Sequence, residues 1–80
     1  MYGEEEIRDQ AYETTLAALE RHAAGPGFSI QDVEGEMRHL AIYLDQDHDG
    51  RGALKHAEIE GQLWAYQIFI KRWKEKREGR

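Results

Sequence analysis

Apolar residues recur at alternating spacings of three and four along three stretches of the chain, as in helices with one face in a core. The stretches predict helices over about residues 4–24, 30–44 and 53–77. Helices joined by short connections pack side by side, so we expect an all-α fold, an antiparallel three-helix bundle with a long C-terminal helix. Eighty residues form one domain, predicted to cover 1–80.

The clearest local signal is the break between the first two helices. Residues 24–27 read Ala-Gly-Pro-Gly, and neither helix nor strand continues through a proline between two glycines. Gly25 is predicted to take the left-handed conformation after the first helix. Ser29 is predicted to cap the second helix by accepting a hydrogen bond from the amide of Asp32.

The third helix is predicted to be apolar on two sides. One face carries five large residues: Ile59, Leu63, Tyr66, Ile70 and Trp73. Trp64 and Ile68 project on nearly the opposite face. A narrow polar strip remains: Glu60, Gln67, Lys71 and Lys74. Because such a helix is usually covered on both sides, either the first two helices straddle it in a monomer or it pairs with a copy in a homodimer.

The aromatic residues favour a function in binding. Two tryptophans with several tyrosines and phenylalanines are many for the core of a short chain, and these residue types are enriched at protein interfaces. The leading hypothesis is a small helical protein–protein interaction module, whose partner is another protein or a second copy. Its predicted anchors are Trp64, Ile68 and Trp73.

An acidic loop, 45–52, connects the second and third helices, and its side chains suggest an alternative function. Three carboxylates and a glycine resemble positions 1, 3, 5 and 6 of an EF-hand calcium loop: Asp45, Asp47, Asp49 and Gly50. The resemblance implies weak binding of a divalent cation such as Ca²⁺. The sequence departs from the pattern at position 8, which is Gly52, and at position 12, where His56 replaces a bidentate glutamate. Asp and Gly also suit an ordinary turn.

Charge is distributed unevenly along the chain. Residues 1–70 carry 5 Lys/Arg and 14 Asp/Glu, while residues 71–80 carry 6 and 2, which gives the formal net charge of −5. An acidic body repels nucleic acid and favours a basic or neutral partner, or the basic segment of a second copy. The basic segment also complements the negative end of the third helix dipole.

Several functional classes find no support in the sequence. No apolar run reaches the length of a membrane span, and the acidic N-terminus is unlike a secretory signal, so a cytoplasmic protein is expected. No nucleophile lies in a pattern with a base and an orienting group, and we do not expect an enzyme. No cofactor is predicted beyond the Ca²⁺ of the alternative.

Overall fold

The computed structural model describes residues 3–46 and 52–78, and this part of the chain contains three α-helices and no strand. The helices are α1, Glu4–Ala23, α2, Ile30–Asp45, and α3, Ala53–Glu78. The all-α bundle is confirmed, and each helix ends within one residue of its predicted bound. With 26 residues, α3 is the longest helix, as predicted.

The turn between α1 and α2 corrects the prediction for Gly25. Ala24 keeps a right-handed conformation after the helix end, and the glycine with a positive φ, 77°, is Gly27. The reason lies in Pro26. A cap with its left-handed residue at Gly25 would use the next N–H to bond back to the helix, and proline has none. The reversal therefore occurs one residue beyond the proline.

The predicted cap at Ser29 is also wrong in its side chain. Ser29 has the extended backbone of an N-cap residue, but its hydroxyl does not bond to the start of α2. It donates instead to Oε1 of Gln31 at 3.1 Å. At α1 the side chain of Glu6 does contribute to capping, since it accepts the N–H of Gly3 at 2.7 Å.

The helix α3 lies between the other two. It packs extensively on α1 and also on α2, while α1 and α2 barely touch each other in the described residues. Contacts between α1 and α3 keep a constant offset of 52 residues, so these two helices run parallel: Arg8 with Glu60, Tyr12 with Trp64, and Glu20 with Arg72. The up-down-up order makes α2 antiparallel to both. The first two helices thus straddle the third within one chain.

Large side chains build a core at the end of the bundle where α2 begins and α3 ends. Its buried members come from all three helices: Leu19, Val33, Phe69 and Ile70. Partly buried residues close around them: Leu16, Ala23, Phe28, Ile30, Met37, Tyr66 and Trp73. This cluster fixes how the three helices meet, because each of them contributes apolar side chains to it.

The opposite end of the bundle is held together differently, by close approach of two backbones. Small residues at every fourth position of α3, Ala57, Gly61 and Ala65, are buried. A Cβ atom on Gly61 would overlap the backbone carbonyl of Arg8 and would lie 3.0 Å from the Cβ of Ala11. Only glycine permits this approach of α1 and α3.

Candidate interaction surface

Trp64 lies on the outer edge of the contact between α1 and α3. Its side chain is 54% exposed, and its ring meets Tyr12 edge to face at 6.1 Å between centroids. Trp64 follows Gly61 by three residues, which places it about 60° around the helix from the closest backbone contact. An indole has no room between the two backbones there, so it lies beside them.

Two grooves share the indole of Trp64. One has a volume of about 410 Å³ and is otherwise lined by residues of all three helices: Arg8, Leu44, Glu60, Leu63 and Gln67. The other, of about 360 Å³, lies between α1 and α3 and is otherwise lined by four residues: Asp9, Tyr12, Glu13 and Ile68. We call Trp64 together with these two grooves the Trp64 surface. Its centre is apolar and its margin is charged, which is the usual anatomy of an interface.

Ion pairs connect the margin of this surface to the fold. The guanidinium of Arg8 donates to Oε1 of Glu60 from Nε at 3.1 Å and from Nη2 at 2.9 Å. Nε2 of His56 lies 3.4 Å from the other oxygen of Glu60. Further along α3, Nζ of Lys74 is 3.0 Å from Glu34. These side chains keep contact with water, so the pairs are worth only about 0–1 kcal/mol each and exchange readily.

The three predicted anchors occupy different environments. Trp64 is exposed, and Ile68 is partly buried in the wall of the second groove. Trp73 instead packs against the core, with its ring 4.9 Å from Phe28 and 6.1 Å from Phe69 between centroids. Sequence reasoning did not assign Tyr12 or Leu44 to the surface, because the offset between parallel helices cannot be read from the chain.

Comparison with known proteins gives no relative from which to infer a function. No protein-family model, curated protein or solved structure matches this chain. Among the described residues, no helix is long and apolar enough to cross a membrane. The Trp64 surface must therefore be interpreted from its own shape and chemistry.

The acidic loop lies largely outside the described residues. Asp47 and Asp49 belong to the part that the structure does not describe, and Asp45 is exposed at the end of α2. Gly52 has a φ of 83°, a conformation that excludes the branched apolar residue usual at position 8. Within 3–46 and 52–78, no three His, Asp or Glu side chains could hold a metal ion together. Cation binding stays a prediction of the sequence.

A further recess of about 320 Å³ separates α1 from α2 beside Tyr66. It is lined mainly by polar residues: Thr15, Glu36, His39, Leu40, Gln62 and Tyr66. The hydroxyl of Tyr66 donates to Oε1 of Glu36 at 3.0 Å. Burial, and then the neighbouring Glu36 carboxylate, raise the pKa of Tyr66 to about 12. A tyrosine held in its neutral form serves as a hydrogen-bond donor rather than as a base.

Proposed function

We propose that this chain is a small helical protein–protein interaction module that binds a helix of its partner through the Trp64 surface. The observation that carries the proposal is the 54% exposure of Trp64 between two grooves. The other tryptophan, Trp73, is partly buried and packs against the core. Tryptophan is among the residues most enriched at the energetic centres of interfaces. The proposal includes the cytoplasmic location expected from the sequence.

The exposed part of the indole is large enough to matter for affinity. A tryptophan side chain presents roughly 150–250 Å², so covering the exposed half of Trp64 would remove about 100 Å² from water. At about 25 cal/mol per Å², this area contributes roughly 2.5 kcal/mol to association. That value is within the range of interface hot spots. The adjoining Ile68 and Leu63 extend the same apolar area.

The grooves on both sides of Trp64 support a helix as the occupant. A helix that binds in a groove presents apolar anchors three and four residues apart, with polar residues on its remaining faces. The two grooves lie along α3 and are separated by one ring, and acidic Asp9 and Glu13 border the second. This margin favours basic residues beside the partner's apolar anchors.

In-cell photo-crosslinking tests the proposal. In one variant a benzophenone amino acid replaces Trp64. In a control variant it replaces Arg38, an exposed residue of α2. We expect position 64 to give an adduct to one protein chain, whether a copy or another protein, and position 38 to give none. Circular dichroism checks that both variants keep the helical content of the natural chain. Absence of a specific adduct at position 64 would contradict the proposal.

A further inference from the structure

One side of α3 carries a regular strip of residues that is largely exposed to solvent. Five positions at spacings of four, three, four and three lie on it: Glu60, Trp64, Gln67, Lys71 and Lys74. All are exposed except Glu60, which is partly buried. Residues at these spacings share one side of a helix, so the five form a continuous line along α3. Side chains of α1 and α2 border this line, as Arg8 and Glu34 do, and its middle positions, Gln67 and Lys71, are exposed.

The strip has a self-complementary distribution of charge. Its acidic end is Glu60, its basic end is Lys74, and Gln67 lies at the midpoint. If a second α3 runs antiparallel and crosses at Gln67, Glu60 of each chain lies opposite Lys74 of the other. Trp64 then lies within one residue of Lys71 of the second copy, whose ammonium can bind the face of the indole.

We propose that the Trp64 surface binds a second copy of this chain, with the two α3 helices antiparallel and crossing near Gln67. The inference depends on the proposed function and specifies its partner. Such an interface is isologous, since the same patch serves on both chains and each favourable pair occurs twice. A parallel arrangement would place Glu60 against Glu60 and Lys71 against Lys71, which electrostatics disfavours.

The chain already contains the charges that a partner of this surface needs. Residues 71–80 hold 6 Lys/Arg and 2 Asp/Glu, and antiparallel pairing brings this basic segment over the acidic end of the strip. Within one chain Lys74 pairs with Glu34, and the partly buried Glu60 pairs with Arg8. Both Lys74 and Glu60 keep part of their surface in water, so a second copy can add an oppositely charged group beside each of them. A copy therefore supplies complementary charge without any other protein.

Variants with a reversed charge, studied alone and mixed with each other, test this arrangement. Sedimentation equilibrium of the purified full chain, up to high micromolar concentration, measures dimerisation. We expect the natural chain to dimerise, and Glu60→Lys and Lys74→Glu each to weaken dimerisation at least about tenfold, because like charges then meet twice. An equimolar mixture of the two variants should recover the natural affinity within about threefold. In that heterodimer every 60–74 contact again joins opposite charges.

Matched controls use the same charge changes on another face of α3. Residues Glu58 and Lys76 lie off the strip. We therefore expect the variants Glu58→Lys and Lys76→Glu each to dimerise with the affinity of the natural chain, and their mixture to show no higher affinity. Glu58→Lys also removes an ion pair, with Lys55, as Glu60→Lys removes one with Arg8. Equal losses in the controls would overturn the proposal, because they would show an effect of net charge alone.

The outcomes separate this inference from the proposed function. A natural chain that stays monomeric at high micromolar concentration overturns the second copy as partner. An adduct between position 64 and a different protein in cells would still support an interaction module. Dimerisation of the natural chain without recovery in the mixture overturns the antiparallel pairing. Recovery of the dimer affinity in the mixture supports the antiparallel pairing if the control variants dimerise like the natural chain.

Discussion

The two tryptophans of α3 mark the difference between the two ends of this bundle. Trp73 belongs to the end where three helices converge, and aromatic rings cover much of its surface. Trp64 belongs to the end where α1 and α3 meet through small residues, and half of it faces water. The two residues share a helix and lie nine positions apart, so their environments differ because their neighbours differ.

The comparison shows that close packing of backbones and burial of large side chains are alternatives on one helix face. Where Gly61 brings α3 against Arg8 and Ala11, the contact between α1 and α3 is tight but contains few large apolar groups. The large ring of Trp64 lies beside this contact and remains accessible, whereas the smaller Ile59 is buried near it. At the other end the large side chain of Phe69 is buried among residues of all three helices. One end therefore stabilises the fold, and the other presents a surface.

The largest effect should follow from enlarging Gly61, which would break the tight end. Gly61→Val places a branched side chain where even a Cβ atom overlaps the carbonyl of Arg8. We expect a loss of about 4 kcal/mol or complete unfolding, a cost typical of severe overpacking in a rigid contact. Urea denaturation followed by circular dichroism measures the free energy of unfolding. Gly61→Ala should also destabilise, although alanine favours helix formation.

A second glycine provides the control for this substitution. Gly35 lies in α2, and the nearest atom to a Cβ built there is the tip of Arg38 at 3.9 Å. Gly35→Ala should therefore stabilise the protein by about 0.5–1 kcal/mol through helix propensity. If Gly61→Ala stabilises the protein as Gly35→Ala does, the contact at Gly61 is looser than described.

The two tryptophans should respond differently to truncation. Trp73→Ala removes packing against Phe28 and Phe69, and we expect it to cost about 3 kcal/mol of unfolding free energy. Trp64→Ala removes a ring that is half in water and contacts Tyr12 at its edge, and about 1 kcal/mol is expected. Thermal and urea denaturation at low micromolar concentration compare the monomers. Equal costs would mean that Trp64 is as much a core residue as Trp73.

The sequence predicted the helices because their signals are local. Periodic apolar residues and the Gly-Pro-Gly break depend on neighbours in the chain, and the helix bounds agree within one residue. The two cap predictions are wrong for reasons that are also local. The missing N–H of Pro26 moved the left-handed glycine to Gly27, and the hydroxyl of Ser29 found the side chain of Gln31 instead of a backbone amide.

The sequence could not predict which apolar side chain of α3 stays exposed. Two sides of α3 are apolar, and the exposure of Trp64 depends on how closely α1 approaches Gly61, a contact between residues more than fifty positions apart. Trp64 was identified as an anchor because of its residue type and its position outside the main stripe. Trp73 was identified on the same residue type, but it packs in the core. Residue type alone does not distinguish an exposed ring from one that packs in the core.

A small effect is expected at Tyr66, which lies where the core gives way to the recess between α1 and α2. Its ring packs against the core and its hydroxyl donates to Glu36 at 3.0 Å. Tyr66→Phe keeps the ring and removes the hydrogen bond, so we expect a loss of about 1 kcal/mol at neutral pH. Urea denaturation of both proteins measures this difference in unfolding free energy.

The pH dependence of that difference shows whether the hydroxyl is held as described. In the folded chain the pKa of Tyr66 is raised from 10.0 to about 12, so the folded state binds the phenolic proton more tightly than the unfolded state. The resulting stability is fully present below pH 10 and is lost as pH rises towards 12. The natural chain should therefore lose its advantage over Tyr66→Phe across this interval. If the difference in unfolding free energy between the two proteins stays constant up to pH 12, the hydroxyl lies in water. The solvent-accessible end of the bundle would then extend as far as Tyr66.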